Sequence, residues 1–408
     1  MKGATLLFIF AAVLGLEAWE AVRAPLYPMD EALWFRKAQA TSAHVMNPDD
    51  RFYAVDVPGF NRWIYWPMFR ITGLYRVPPG EPECWSVRGG RIYFKGTFNN
   101  PAWPRNPTEE QFQWFVHRHG RYAPRSSMMA LRFTNIAVYG VMLAALWWTA
   151  RAALKSPWLA LLAVSPVALT PAFNLNLAFV TWSGDIFMLA AVAVTLAAWT
   201  RFHLAGAATS RKAIIVTGIL CGIAAGSKLN GILVLAAYCL YLAIVSRSFS
   251  RLANPAMAAA IAFAVFLAVD PVVFLYPDRA PWQVLTMMVV RRGQVVADWT
   301  RREGPLAWAE FYSHALFWWP MLPAAVWAFW KCRRRAWFLP LALWCGVMVV
   351  GTLVGVLEVN RADDEYLGPV YMALYFPVAV AFISLGIGQA GEAGARGITE
   401  NARPAGGG

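Results

Sequence analysis

Apolar runs recur along most of this chain, and polar segments separate them. A helix of roughly 20 apolar residues spans the hydrocarbon core of a bilayer. The pattern therefore predicts an all-α polytopic membrane protein with about ten transmembrane helices. We place these helices at Ala4–Val22, Phe133–Ala150, Trp158–Pro171, Asp185–Thr200, Ala213–Ser227, Leu229–Val245, Pro255–Leu275, Phe311–Trp330, Trp337–Val356 and Leu367–Gly386.

The domain organisation follows from the spacing of these runs. Residues 1–388 are predicted to form one transmembrane domain with two long outer loops, 23–127 and 276–310. The first run continues to Pro25 without a convincing small-residue cleavage site, so we interpret it as a retained helix and not as a secretory signal. Residues 389–408 are rich in Gly and Ala and are predicted to form a disordered cytoplasmic tail.

The first outer loop is too long to be a mere connector, and its pattern predicts structure of its own. The segment "FNRWIYWPMFRITGLYRV" places its aromatic and aliphatic residues on one helical stripe, which suits a helix on the membrane surface. The segment "NPTEEQFQWFVHRHG" carries the start and stop signals of a helix. The segment "SVRGGRIYFKG" predicts a hairpin about Gly89 and Gly90. In the second outer loop, "PWQVLTMMVVRRGQVVADW" predicts another surface helix.

Basic residues cluster in alternate short connections, which indicates the orientation of the chain. They are Arg151, Lys155, Arg201, Arg211, Lys212, Arg247, Arg251, Lys331, Arg333, Arg334 and Arg335. By the positive-inside rule, these connections and both termini face the cytoplasm. The opposite short loops are free of Lys and Arg (172–184) or mainly acidic (358–366). The second outer loop carries five arginines, so its outer placement rests on the number of preceding spans.

Composition narrows the function classes. A chain that is 59% hydrophobic and 14% charged is not an ordinary soluble domain. The net charge of +13 lies largely between spans, so we expect membrane lipids and no nucleic acid as partners. Only Cys84 lies in the first outer loop, which excludes a disulfide within that loop. The sequence contains no tight cluster of His and Cys residues with the spacing of a zinc site. The acidic segment "ADDEY", 362–366, could attract a divalent metal ion, so a metal cofactor is an open alternative. An acidic outer loop is the simpler interpretation.

Acidic residues at the predicted outer edge are the first candidates for chemistry. Asp30 and Glu31 follow the first span closely, and a transferase acting on lipid-phosphate sugars there needs a base for the acceptor's proton. The alternative is a helix N-cap with its first-turn acid, because "ALWFRKAQA" is a reasonable helix. Asp185 opens a later span at the same membrane level. For this residue too, the alternative is a helix cap.

Basic residues at that edge are candidates for contacts with a phosphate. Lys228 interrupts an apolar run that is too long for one span, so it is predicted at the apex of two short helices; the alternative is a lysine that extends into the headgroups. Glycines repeat every four residues before it, which favours close helix packing. Arg125 and Arg132 flank the start of the second span, and Arg291 and Arg292 lie in the second surface helix. Each arginine can bind phosphate bidentately or contact lipid headgroups generally.

Five of these segments resemble the C-type (GT-C) glycosyltransferases, particularly protein O-mannosyltransferases and aminoarabinose lipid A transferases. "MDEALWFRKAQA" resembles the family's first-loop acidic motif, and "DVPGFNRWIYWPMFRITGL" its proline-containing surface helix. "LRFTNIAVYGVMLAALWW" is similar to the arginine-led second span, "TWSGDIFMLA" to the acid that opens a later span, and "GIAAGSKLNGILVL" to the glycine-and-lysine hairpin. The likeness covers the order of elements over residues 1–245.

The resemblance implies roles for particular residues. Asp30 would be the base, Glu31 its neighbour in the acceptor site and Asp185 a second acid there, while Arg132 and Lys228 would contact phosphate. The reaction implied is an inverting transfer from a polyprenyl-phosphate sugar donor to an unknown acceptor. It would take place in the bacterial inner membrane, on the side facing the periplasm or exterior. Relatives often carry an arginine–tyrosine pair before the last matching helix, whereas here Glu365 precedes Tyr366, so Tyr366 is the candidate kept from that pair.

Two other classes of function remain open from the sequence. A transporter or lipid flippase concentrates polar residues at mid-bilayer and often has two related halves. In this chain the polar candidates lie at span ends, and no matching halves are found. A non-enzymatic scaffold is the third class; it would not require the distant polar residues to line one cavity.

Overall fold

The computed structural model describes residues 2–23, 85–88, 91–94, 125–170, 183–246, 249–269, 321–359 and 364–401, together with residues 64 and 286. Within these ranges the chain forms ten α-helices and one two-stranded antiparallel ribbon. The helices are α1 (Lys2–Arg23), α2 (Arg125–Leu154), α3 (Pro157–Ala168), α4 (Ser183–Leu204), α5 (Arg211–Ser227), α6 (Ile232–Val245), α7 (Ser250–Val269), α8 (Met321–Cys332), α9 (Phe338–Val359) and α10 (Asp364–Asn401). The strands are β1 (Trp85–Arg88) and β2 (Arg91–Phe94).

Each predicted transmembrane run coincides with, or overlaps, one of these described helices. Four segments are long and apolar enough to cross a membrane: Arg132–Leu154, Asp185–Leu204, Ser250–Val269 and Gly368–Gly386. Shorter apolar helices occupy four further predicted runs. The chain is thus a helical membrane protein, and ten crossings remains a prediction. The predicted hairpin is present, with Trp85 opposite Phe94 and Arg88 opposite Arg91. Apart from residues 64 and 286, the two predicted surface helices lie outside the described residues, as does the helix predicted after Asn106.

The first three helices form an up-and-down arrangement. Phe10, early in α1, makes an edge-on ring contact with Trp147, late in α2. Arg132, near the start of α2, donates from Nη1 to the carbonyl oxygen of Ala21 near the end of α1, at 2.8 Å. Helices α1 and α2 therefore run antiparallel. Helix α3 returns along α2, because the Trp147 indole donates to the Pro157 carbonyl at 3.0 Å.

The turn between α2 and α3 consists of two residues. Lys155 adopts a left-handed conformation with φ 57°, and its N–H donates to the Arg151 carbonyl at 2.8 Å, which closes α2. Ser156 then caps α3, since its hydroxyl accepts from the Leu159 N–H and Pro157 occupies the first helical position. Together, these two residues reverse the direction of the chain between α2 and α3 without a longer loop.

Helices α4, α5 and α6 continue the alternation. The Arg201 guanidinium lies 5.6 Å from the centroid of the Trp148 ring, which joins the late part of α4 to the late part of α2. Helix α4 is therefore parallel to α2. Lys228, directly after α5, meets Asp185 in the first turn of α4, so α5 runs antiparallel to α4. Tyr241, late in α6, lies 2.6 Å from His203 Nδ1, late in α4, so α6 is parallel to α4.

The last helices also alternate in direction. His203 Nε2 lies 2.7 Å from the Ala336 carbonyl oxygen, which brings the start of α9 to the end of α4. Because a carbonyl oxygen only accepts, Nε2 carries the proton and donates it. Gly351, in the second half of α9, packs against Leu233 at the start of α6. The Cys332 thiol, at the end of α8, donates to the Ala381 carbonyl, which lies in the second half of the apolar segment Gly368–Gly386 of α10.

These directions divide the bundle into two ends. The basic end holds the connections α2–α3, α4–α5, α6–α7 and α8–α9, and it carries the basic residues Arg151, Lys155, Arg201, Arg211, Lys212, Arg251, Lys331, Arg333, Arg334 and Arg335. The opposite end, called here the Asp185 end, holds Ala21, Arg132, Asp185 and Lys228. The charge pattern predicted from sequence therefore corresponds to one physical end of the helices.

Glycines bring α5 and α7 into close contact, as their spacing predicts. A Cβ atom at Gly222 would lie 2.5 Å from the Ala262 carbonyl oxygen and 2.7 Å from Val265 Cβ. A Cβ atom at Gly226 would lie 2.5 Å from Val269 Cγ2. These separations are below van der Waals contact, so only glycine allows the two backbones to approach this closely.

Gly222→Ala is expected to lower the free energy of unfolding by about 1–3 kcal/mol, because the added methyl group overpacks the α5–α7 contact. The measurement is thermal or denaturant unfolding in detergent. Gly346→Ala in α9 is the matched control, because nothing lies within 4 Å of its Cβ position; it should keep or raise the free energy of unfolding, by up to about 1 kcal/mol, because alanine favours a helix over glycine. Equal behaviour of the two variants would contradict the close packing of α5 on α7.

The last helix overlaps the predicted tail. Helix α10 extends to Asn401 and so includes residues 389–401, while a disordered cytoplasmic tail over 389–408 remains a prediction. Ala390, Ala393 and Ala395 favour a helix, whereas each glycine in this segment costs about 1 kcal/mol relative to alanine. Residues 402–408 lie outside the described residues.

Candidate functional site

The Asp185 end contains an ion pair between two residues that are 43 positions apart in the chain. Lys228 Nζ donates to both carboxylate oxygens of Asp185, at 2.5 and 2.6 Å. The Lys228 side chain is 17% exposed and that of Asp185 is 10% exposed. The sequence placed both residues at the outer edge of the membrane, and the structure brings them into direct contact.

The local fold fixes Lys228 at an apex, as predicted. Helix α5 ends at Ser227, and Lys228 takes an extended conformation with φ −157° and ψ 141°. Its carbonyl then accepts from the Gly231 N–H at 2.8 Å, which forms a single 3-10 turn before α6. A Cβ at Gly231 would collide with the Ala224 carbonyl oxygen, so glycine lets this turn fold directly back onto α5.

Both charges lie at helix ends that favour them. Asp185 occupies the first turn of α4, where the partial positive charge of the helix N-terminus stabilises a carboxylate. Lys228 follows the last turn of α5, where the partial negative charge of the helix C-terminus stabilises an ammonium group. The pair is mostly withdrawn from solvent, and breaking such a pair by removing one partner leaves an uncompensated charge. The arrangement therefore holds one cation and one anion in place, with part of the Lys228 side chain still accessible.

Arg132 lies at the same end but has a different environment. Its side chain is fully buried, and Nη1 donates to the Ala21 carbonyl oxygen at 2.8 Å. The guanidinium thus contacts the end of α1. The described contact joins two helices, and the phosphate role that the resemblance implies for Arg132 remains a prediction.

The remaining candidates are only partly described. Asp30, Glu31, Arg291 and Arg292 lie outside the described residues. Arg125 is the first residue of α2, at the Asp185 end, and its side chain is outside the description. Tyr366 lies in the first turn of α10, also at that end, and its side chain is likewise outside the description. Their predicted roles remain predictions.

Sequence reasoning missed a polar face on α2. Asn135 and Tyr139 are fully buried together with Arg132, and their spacing places the three on one side of the helix. Glu17 in α1 is buried as well. Glu17 and Ala21 are four positions apart, on one face of α1. The sequence did contain a signal for this polar face. A carboxylate and an arginine inside apolar runs are costly unless they face other protein groups.

The described residues offer no ready metal site. Among them, no group of three or more His, Cys, Asp or Glu side chains is placed to hold a metal ion. The acidic segment 362–366 lies mostly outside the residues whose side chains are described, so its capacity for a divalent ion stays a prediction.

Comparison with known proteins identifies a class for the central part of the chain. Residues 118–273 match the family model described as dolichyl-phosphate-mannose-protein mannosyltransferase, a family of the GT-C superfamily. No curated protein matches the chain significantly. The matched region is less than half of the chain, but it runs from before α2 to the end of α7 and includes Asp185 and Lys228. It confirms the resemblance seen in the motifs and supports a membrane glycosyltransferase of the GT-C type.

Proposed function

We propose that this chain transfers a sugar from a polyprenyl-phosphate donor to a lipid, glycan or protein acceptor at the outer face of the membrane. The observation that carries the proposal is the Asp185–Lys228 pair, which lies inside the family-matched region and at the end opposite the basic connections. By the positive-inside rule, the basic end faces the cytoplasm and the pair faces the outer side. The phosphate of a donor lipid embedded in the outer leaflet lies at that level.

The proposed chemistry is a displacement with inversion at the anomeric carbon. Asp30 accepts the proton of the acceptor hydroxyl as its oxygen bonds to that carbon. The bond between the carbon and the phosphate oxygen breaks, and polyprenyl phosphate leaves with the bonding electrons. Lys228 stabilises the charge that develops on the phosphate. Asp185 holds Lys228 in position and borders the acceptor, with Glu31 beside the base.

The distance along the chain is compatible with this assignment. Helix α1 ends at Arg23, and Asp30 follows seven residues later. A fully extended segment of that length spans at most roughly 25 Å. Since α1 ends at the Asp185 end, the acidic doublet is tethered to the end that holds the ion pair.

The direct test uses purified protein in proteoliposomes with radiolabelled polyprenyl-phosphate mannose and, separately, a polyprenyl-phosphate pentose. Membrane lipids, glycans and proteins from the source cells serve as acceptors. We expect labelled sugar on an acceptor and an equal amount of polyprenyl phosphate released. If the labelled lipid instead crosses the bilayer without any transfer, the chain is a flippase and the proposal is wrong.

The sidedness of the site is tested by thiol labelling in intact cells with an impermeant maleimide. Native Cys84 in the first outer loop should react from outside. In a Cys84→Ser background, Thr209→Cys, in the α4–α5 connection at the basic end, should react only after the cells are opened. Cys332 adds little background, because burial raises the pKa of its thiol despite the nearby Arg335. The reverse labelling pattern would place the ion pair at the cytoplasmic face and contradict the proposal.

A further inference from the structure

The buried face of α2 contacts the ends of two neighbouring helices. Arg132 donates to the Ala21 carbonyl at the end of α1, and the Tyr139 hydroxyl donates to the Ala168 carbonyl, the last residue of α3, at 3.4 Å. Carbonyl groups in the last turn of a helix have no partner within the helix. One face of α2 therefore donates hydrogen bonds to carbonyl groups at the C-terminal ends of both α1 and α3.

The Arg132 contact is the stronger of the two. Its length of 2.8 Å and its charged donor distinguish it from the longer, neutral contact of Tyr139. The guanidinium also places a positive charge at the negative end of the α1 dipole. Because the side chain is fully buried, its alternative partners are limited to the protein groups around it. A phosphate could reach it only if α1 and α2 moved apart.

Both anchored helices lead to a candidate acid. The chain leaves α1 at Arg23 and reaches Asp30 within seven residues. It leaves α3 at Ala168 and returns at α4, whose first turn contains Asp185. Helices α1 and α3 are therefore the described helices that precede the two candidate acids in the chain.

We infer that Arg132 is a positioning residue: by capping α1 through the Ala21 carbonyl, it fixes the exit of the chain toward Asp30 and Glu31, and it does not bind the donor phosphate. This inference rests on the proposed function for its kinetic test. On this inference, position 132 requires a side chain that donates a hydrogen bond, and it does not require a positive charge.

The test compares three substitutions in the transfer assay. Arg132→Met removes the donor, Arg132→Gln keeps a donor without charge, and Arg132→Lys keeps both charge and a donor. A displacement of the base by about 1 Å can reduce the rate about 100-fold, so kcat of Arg132→Met should fall by about that factor. The KM for the donor lipid should change by less than about twofold, because no ground-state phosphate contact is lost. Arg132→Gln should recover most of kcat.

A second measurement is independent of the reaction. Hydrogen–deuterium exchange over residues 21–30 should speed up in Arg132→Met and return toward the wild-type rate in Arg132→Gln. Phe133→Leu is the control, because Phe133 is the next residue of α2 and its side chain is exposed on the outside of the bundle; it should alter neither exchange nor kcat. Should Arg132→Met fail to fold, the comparison of the Gln and Lys variants still decides between donation and charge.

The opposite outcome is equally clear. If Arg132→Gln raises the donor KM strongly while Arg132→Lys does not, charge is required and Arg132 is a phosphate ligand. Unchanged exchange over residues 21–30 in Arg132→Met would also overturn the inference. Neither result affects the proposed function, which fails separately if the wild-type protein transfers no sugar.

Discussion

Asp30→Asn is expected to reduce kcat for sugar transfer by about 10²–10⁴-fold, which is the usual contribution of a positioned general base. The amide is nearly the same size as the carboxylate but cannot accept the acceptor's proton. The donor KM should change little, because the lost interaction belongs to the transition state. The measurement is transfer from the polyprenyl-phosphate sugar under initial-rate conditions, with donor and acceptor varied separately.

Two companion variants sharpen this result. Asp49→Asn removes a carboxylate from the same predicted outer loop, outside the motif, and should leave kcat unchanged. Glu31→Gln should mainly raise the acceptor KM, since Glu31 is assigned to the acceptor site. A wild-type rate in Asp30→Asn would remove Asp30 from the mechanism.

The second large effect is expected at the ion pair. Lys228→Met leaves the largely buried Asp185 carboxylate without its cation, which should lower the free energy of unfolding by on the order of 3 kcal/mol. Transfer should also fall, because the phosphate loses its cation. Loss of both stability and rate in one variant does not separate a structural role from a functional one, so a second substitution is needed.

The double variant Asp185→Asn/Lys228→Gln separates them. Two amides can hydrogen-bond to each other, so no charge is left unpaired, and replacing both members of a buried ion pair costs much less than removing one of them. We therefore expect stability within about 1 kcal/mol of the wild type, with transfer still reduced by about 100-fold or more. Unfolding in detergent and initial rates provide the two readouts. Full recovery of transfer would show that the pair only holds α4 and α5 together.

Much of the fold follows from simple periodicity. Long apolar runs correctly predicted helices because backbone groups in a membrane are satisfied within a helix. The apex at Lys228 was predictable because a lysine cannot remain within a continuous apolar span. The glycine repeat predicted close packing, although its partner helix α7 became evident only from the contacts of Gly222 with Ala262 and Val265.

The site was less predictable, since spacing along a chain does not specify contacts between helices. Asp185 and Lys228 were proposed individually, and no local pattern indicates that they pair across 43 residues. For Arg132, the resemblance predicted a phosphate contact, which stays a prediction. Its burial and its hydrogen bond to the Ala21 carbonyl could not be predicted from sequence, because they depend on how α1 packs against α2. The ends of long helices were also uncertain, as the extent of α10 shows.

The turn between α2 and α3 has a bearing on how the protein enters the membrane. Lys155 keeps a left-handed conformation that costs about 1 kcal/mol or more for a residue other than glycine. Glycine would relieve that strain but would remove a cation next to Arg151. In the proposed orientation, the retained lysine adds to the charge that resists translocation of this hairpin during biosynthesis. In that orientation, Lys155→Gly would exchange one cytoplasmic positive charge for a more relaxed backbone.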